Sequence, residues 1–318
     1  MSRAVRLVLL AALVAAGFML SLAAGKQWLP WGDDTAMAIF LELRLPRALL
    51  GLLLGGLLGL NGAVLQGFLR NPLADPAVVG VSSCAAFGAV AAILYAGATS
   101  LGLFGAAMAG ALAAMALLVA LTWRGADAVT FVLAGTVLSS LAGALTAFLI
   151  AIAPNPYAVA GVIDWLMGAL TDRGLADLAR AAPFLIAGGV LLALAGPGLD
   201  ALTLGEDAAR SLGVRIGRVQ ALVVLGTGLG VGAGVAATGV IGFVGLVVPH
   251  VLRPLFGHRP SALLLPSTLG GAALMLFADS LCRLAPGASE VRLGVAMAMI
   301  GAPFFLGLLL RQRTRAWI

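Results

Sequence analysis

Long apolar runs separated by short polar breaks fill most of this 318-residue chain. Runs near 4–24, 47–69, 77–97, 100–123, 129–152, 182–199, 219–238, 241–256, 261–281 and 293–310 approach the roughly 20 residues that a helix needs to cross a bilayer. The pattern predicts an all-α polytopic membrane protein, about ten transmembrane helices in a single domain over residues 1–318. Only Gly239 and Gly242 separate the seventh and eighth runs, and Pro249 interrupts the eighth, so a short or broken helix is expected there. Gly51, Gly55 and Gly59 recur every fourth residue, a small face that lets two helices approach closely. The glycine-rich stretch "GTGLGVGAG" (226–234) also reads as packing. It lacks the GxGxxG order, the preceding strand and the later acid of a dinucleotide site.

Two polar breaks stand out. Residues 153–181 carry Pro154, Asn155, Pro156, Asp164, Trp165, Asp172 and Arg173. The apolar middle of this connection predicts a short interfacial helix, with Trp165 at headgroup depth. The other break, "TLGEDAARSLGVRIGR" (203–218), holds five charges, Glu206, Asp207, Arg210, Arg215 and Arg218. Thr203 and Glu206 have capping-box spacing, and Gly213 suits a helix stop. A helix over 204–212, about 13 Å long, puts Leu204, Ala208 and Leu212 on one face and the charges elsewhere. Such an element at a membrane surface suits docking to another protein.

Composition agrees: 62% of residues are hydrophobic, 10% are charged and mean hydropathy is +1.11. The net charge of +6 does not indicate nucleic-acid binding, because the basic residues sit at the ends of apolar runs. Twelve of them (Arg3, Arg6, Arg70, Arg124, Arg210, Arg215, Arg218, Arg253, Arg259, Arg311, Arg313 and Arg315) fall on the side of the N-terminus. Seven (Lys26, Arg44, Arg47, Arg173, Arg180, Arg283 and Arg292) fall on the other. By the positive-inside rule both termini and 203–218 are cytoplasmic, and 153–181 is outside. The first run could pass as a signal peptide, but the spans that follow favour an uncleaved helix; either reading starts in the cytoplasm.

Several chemistries are excluded. Lys26 is the only lysine, so no GxxxxGK[ST] loop exists and the chain is not itself a Walker-type ATPase. No catalytic residue is expected. The predicted spans hold no Asp or Glu except Asp279 at the edge of the ninth, which disfavours ion-coupled carriage. His250 and His258 lack enough companions for a metal site and read as structural; no metal or other cofactor is expected on this chain. Cys84 and Cys282 form no disulfide framework.

Motifs along nearly the whole chain are familiar in order: "RLPR" (44–47), "NGAVLQGFLRNPLADP" (61–76), "WLMGAL" (165–170), "LGEDAARSLGV" (204–214), "GVIGFVGLVVPHVLR" (239–253), "ADSLCR" (278–283) and "GAPFFLGLLLR" (301–311). The chain resembles FecCD-type permeases, the membrane subunits of ABC importers for iron–siderophores, haem and vitamin B12. The resemblance implies an iron-chelate permease domain in the bacterial cytoplasmic (inner) membrane, with haem or vitamin B12 as alternative cargo. It implies a second permease copy, two cytoplasmic ATPase subunits that carry ATP and Mg, and one external binding protein. Leu204, Gly205, Glu206, Ala208, Ala209, Leu212 and Gly213 would then enter the ATPase, and Arg44, Arg47 and Arg283 would meet acids on the binding protein. Asp127, Ala128, Val129 and Thr130, from the loop "RGADAVT", would form a gate, with Thr136, Ser139, Ser140 and Thr146 lining a weakly polar pathway. The stretch "GVSSCAAFG" (80–88) departs from the family pattern.

Overall fold

The computed structural model describes residues 1–25, 34–97, 99–122, 128–287 and 289–315. Among these the chain is helical: α1 (Arg3–Ala23), α2 (Asp34–Ile39), a π-turn (Phe40–Arg44) running into α3 (Leu45–Phe68), a 3-10 turn (Pro76–Val79), α4 (Val81–Tyr95), α5 (Ser100–Thr122), α6 (Ala128–Ala151), α7 (Pro156–Leu166), α8 (Leu175–Leu194), α9 (Gly196–Leu202), α10 (Glu206–Ser211), α11 (Ile216–Thr238), α12 (Val244–Phe256), α13 (Pro260–Leu284) and α14 (Leu293–Arg315). Each of the ten apolar runs lies on a helix. Seven helical stretches are long and apolar enough to cross a membrane, and three further apolar helices are shorter.

The centre of the bundle is α3, buried along nearly its whole length against α13, α8, α12 and α11. Its glycine face makes this possible. A Cβ on Gly59 would strike the carbonyl oxygen of Ser267, and Gly55 and Gly271 meet backbone to backbone. Two helices can approach this closely only where neither carries a side chain at the crossing. The 226–234 glycines likewise let α11 settle against α8, α5 and α3.

The break between the seventh and eighth runs is real, but it precedes Pro249. Gly239 turns at φ +73° and Phe243 at φ +67°, and α12 then continues through Pro249. Gly239 crosses the backbone of Gly168 (φ +67°), where no Cβ fits on either. The Ala169 amide donates to Thr238 O at 2.8 Å, and the Gly294 amide to Gly168 O at 3.0 Å, so the loop after α7 joins the start of α14. The sixth run begins earlier than its apolar pattern, at Leu175, because the Asp177 carboxylate accepts from the Gly174 amide and pairs with Arg180.

Contacts define two ends. Arg3 and Arg6 donate to the carbonyls of Ala262 and Leu255, which puts the chain start beside the α12–α13 turn. At the opposite end, Ser21 and Ala24 of the first hairpin meet Arg283. The flanks of α6 and α14 remain uncovered, with Leu133, Val137, Leu141, Met299 and Leu306 exposed.

Gly59→Leu is expected to abolish recovery of monodisperse protein, since the added side chain must part α3 from α13. Gly105→Ala, whose Cβ would stand in open space, should leave yield and melting temperature at or above wild type. Size-exclusion profiles and thermal unfolding in detergent check both.

Candidate functional site

The end that carries the chain start presents the charged segment. Thr203 closes α9 instead of opening the next helix: its hydroxyl donates to Asp200 O at 2.6 Å. The capping box is therefore not formed. Gly205, at φ +98°, starts α10 with no side-chain cap, and the helix spans Glu206–Ser211 instead of 204–212. Released from capping, Glu206 pairs with Arg210 at 3.2 Å. Gly213 does end the helix, at φ +82°, with its amide on Arg210 O (2.9 Å) and that of Val214 on Ala209 O (3.0 Å).

Exposure sorts the segment's residues. Leu204 is 67% exposed and Leu212 64% exposed, whereas Ala209 is fully buried as the foot of the helix. Ala209 thus anchors the element and does not face a partner. Glu206 and Ala208 are half-buried, and Gly205 and Gly213 form the two bends. Asp200 ties the preceding turn to α13, accepting from Arg259 Nε (2.7 Å) and from the Ser261 amide (2.8 Å) and hydroxyl (2.6 Å). Two exposed leucines therefore stand on a tethered support.

At the opposite end the expected docking arginines are mostly spent internally. Arg47 donates to both oxygens of Asp279 (2.8–3.2 Å) and to Glu290 Oε2 (2.8 Å). Arg283 donates to Ser21 Oγ (2.7 Å) and Ala24 O (3.1 Å), and pairs with Asp279 Oδ2 at 3.0 Å. Arg47 is 9% exposed, Arg283 3% and Asp279 1%. Of the three arginines expected to dock, these two are buried with partners that the chain itself supplies, as buried charges require. Arg44 stays half-exposed and donates to Leu22 O and Ala23 O. Burial raises the Glu290 carboxyl, but hydrogen bonds and charge from Arg47, aided by Thr171 and Arg283, outweigh it and hold the pKa below its usual value.

Trp165 sits near the end of the short helix α7. It packs half-buried against the core and lines a cavity of about 300 Å³ with Thr171, Arg173 and Arg292. Arg292 pairs there with Asp164 of α7.

The hydroxyls of the predicted pathway are satisfied within the chain. Thr136 donates to Leu133 O, Ser140 to Thr136 O and Thr146 to Ala142 O, each within 2.9 Å, and Ser139 reaches Ala77 O at 3.4 Å. Asp127 lies outside the described residues; Ala128, Val129 and Thr130 open α6. The two histidines are not brought together. His250 stacks edge-on against Phe304 of α14, while His258 lines a cavity beside the α12–α13 turn. Among the described residues no three metal-binding side chains cluster.

Sequence reasoning missed Asp75. Its carboxylate is 7% exposed, accepts from the Ala77 amide at 2.9 Å and faces the start of α12 across a small pocket. The Asp-Pro pair in "NPLADP" was a legible cap signal for the following turn.

Seven helical stretches long and apolar enough to cross a bilayer, with a tethered charged helix at one end, define a multi-pass membrane protein. Residues 7–311 match the FecCD transport family, and the chain belongs to that family. It is 40% identical over 285 residues to the cobalamin import system permease BtuC of Halobacterium salinarum, covering 89% of this chain and 76% of that one. The hemin transport permease HmuU of Yersinia pestis is 35% identical over 300 residues, 92% of this chain and 90% of the relative. A solved ABC transporter described as of metal-chelate type, in an inward-facing conformation, superposes with a TM-score of 0.89 at 32% identity, covering 96% of this chain and 98% of its own. The chain is thus a multi-pass permease of an ABC importer, a transport subunit and not an enzyme.

Asp279→Ala is expected to destabilise the protein by about 3–5 kcal/mol, because it leaves two buried guanidinium groups with one fewer counter-charge. Glu290→Gln should act more mildly and with pH. A carboxyl whose folded pKa is lowered stabilises above its ordinary value of 4.5, and that contribution fades as pH falls through the folded value. Wild type should therefore melt above Glu290→Gln at pH 7, with the gap closing below about pH 4; thermal unfolding across a pH series measures it.

Proposed function

We propose that this chain is the membrane-spanning subunit of an ATP-driven importer for an iron chelate. Two copies enclose the pathway, two cytoplasmic ATPase subunits bind ATP and Mg, and an external binding protein delivers cargo. In this reading the chain crosses the bacterial inner membrane ten times, with both termini and α10 in the cytoplasm. The three shorter apolar helices complete the crossings, α12 being short because the Gly239–Phe243 break replaces its first turn.

The observation that carries the reading is the pair of exposed leucines, Leu204 and Leu212, flanking α10 on the support anchored by Ala209 and Asp200. A free leucine pair on a rigid mount fits a cleft in a partner, and a chain without a Walker loop needs a partner for ATP. The uncovered flanks of α6 and α14 suit a second copy, with the Thr136–Ser140 face along the pathway. Hydroxyls that already bond within the chain give a large cargo little to adhere to. Arg44 is the expected docking arginine that remains half-exposed for the binding protein.

Cobalamin is the second reading for cargo, on the likeness to the Halobacterium salinarum permease. Ligand identification on the co-purified binding protein, by mass spectrometry and absorbance, separates iron chelate, haem and cobalamin. A stand-alone carrier is the reading from a different class; uptake by the chain alone, without ATPase or nucleotide, would establish it.

Glu206→Arg combined with Leu212→Asp should leave insertion intact while ATP-driven uptake falls at least about tenfold. Proteoliposomes loaded with ATP, with ATPase and binding protein present, give the measurement. Undiminished uptake removes α10 from the coupling role.

A further inference from the structure

A cavity of about 320 Å³ opens beside Thr203, at the end of the bundle that carries α10. Arg70, Arg253, His258 and Gln66 line it, and none of the described residues that line it is acidic. The nearest described acid on the adjoining turn, Asp200, is already held by Arg259 and Ser261.

Arg70 is the informative residue. It occupies the position just past α3, where the Asn71 amide reaches Gln66 O (3.2 Å) and the Arg70 amide reaches Gly67 O (3.4 Å). That bend puts Arg70 at φ +49°, a conformation that suits glycine. An arginine there costs about 1–2 kcal/mol relative to an unstrained backbone. A local rule broken without a local gain marks a side chain wanted for another purpose. Among the described residues Arg70 has no ion pair. Arg253 is fixed, donating to Gln66 Oε1 at 2.6 Å, while Gln66 donates to Gly245 O at 3.2 Å.

We infer that this cavity receives an acidic side chain of the ATPase partner, as a second anchor beside α10. The inference rests on the reading that an ATPase docks against Leu204 and Leu212. Charge complementarity supplies the chemistry: two arginines and a histidine line the cavity, and none of the described lining residues is acidic. Position selects the occupant. The cavity lies at the end of α3, the helix enclosed on nearly all sides, and beside the turn that leads into α10. Thr203 belongs both to its wall and to the turn that leads into α10.

The test measures affinity between the permease in nanodiscs and its purified cognate ATPase, at 50 and 300 mM salt. Arg70→Gly removes the charge and relieves the bend, so it should raise the melting temperature while weakening ATPase binding about tenfold at low salt. Arg70→Glu with His258→Glu should weaken it further, and the differences should shrink at high salt. These effects should be equal in nanodiscs of phosphatidylcholine alone and with phosphatidylglycerol added. Unchanged affinity for both variants, while Leu212→Asp abolishes binding, overturns the cavity and leaves the α10 reading in place. An effect confined to phosphatidylglycerol nanodiscs makes the cavity a lipid site and overturns it equally. If Leu212→Asp also binds normally, the α10 reading fails and takes this inference with it.

Discussion

Inside a bilayer, lipid tails are as apolar as leucine, so burial alone does not draw helices together. What remains is close packing, and in this chain that means backbone meeting backbone at glycine. The α3–α13 crossing at Gly55, Gly59, Ser267 and Gly271 is the contact from which the rest is built. It fixes α3 at the centre, and α11, with glycines of its own, can then lie against α3 and α8. Both ends of α3 become sites in consequence. One end brings Arg47 to Asp279 on α13, and the other brings Gln66 and Arg70 to Arg253 on α12.

The charges divide accordingly. At the Arg47 end, two guanidinium groups and two carboxylates neutralise one another, with Glu290 the one of the four that is part-exposed, while Arg283 donates to Ser21 and Ala24 and Thr171 donates to Glu290. A buried set of this kind fixes which loops meet; it is not left open to a partner. At the Arg70 end, among the described residues, no carboxylate pairs with Arg70 or Arg253, and Arg253 is part-buried on Gln66. The same residue type thus closes the structure at one end and leaves the other open for recognition.

The apolar runs and the glycine faces were legible because membrane helices announce themselves through length and spacing alone. The gaps were all long-range. Nothing near Arg47 in sequence signals that Asp279, 232 residues away, will hold it, so a motif match suggested an exposed role for a buried group. Thr203 and Glu206 have the spacing of a cap, but α9 runs directly into the turn and its last carbonyls take the Thr203 hydroxyl first. Ala209 belongs to the right motif with the wrong orientation, since which side of a six-residue helix faces the protein depends on where Asp200 moors it. Asp75 escaped notice because its neighbours, Val240–Gly245, come from the far half of the chain.

The break at Gly239–Phe243 links the two ends. Phe243, left-handed at φ +67°, packs so closely on Gly301 that a Cβ there would collide with its ring. That contact joins the start of α12 to α14. From the other side Gln66 holds the Gly245 carbonyl while Arg253, on the same short helix, grips Gln66. A helix of 13 residues, set off from its predecessor at Gly239, is thus held by α14 at its start and by Gln66 of α3 near both of its ends. The glycine-broken segment thereby ties α14, whose flank is uncovered, to the α3–α13 seam that holds the rest of the bundle in place.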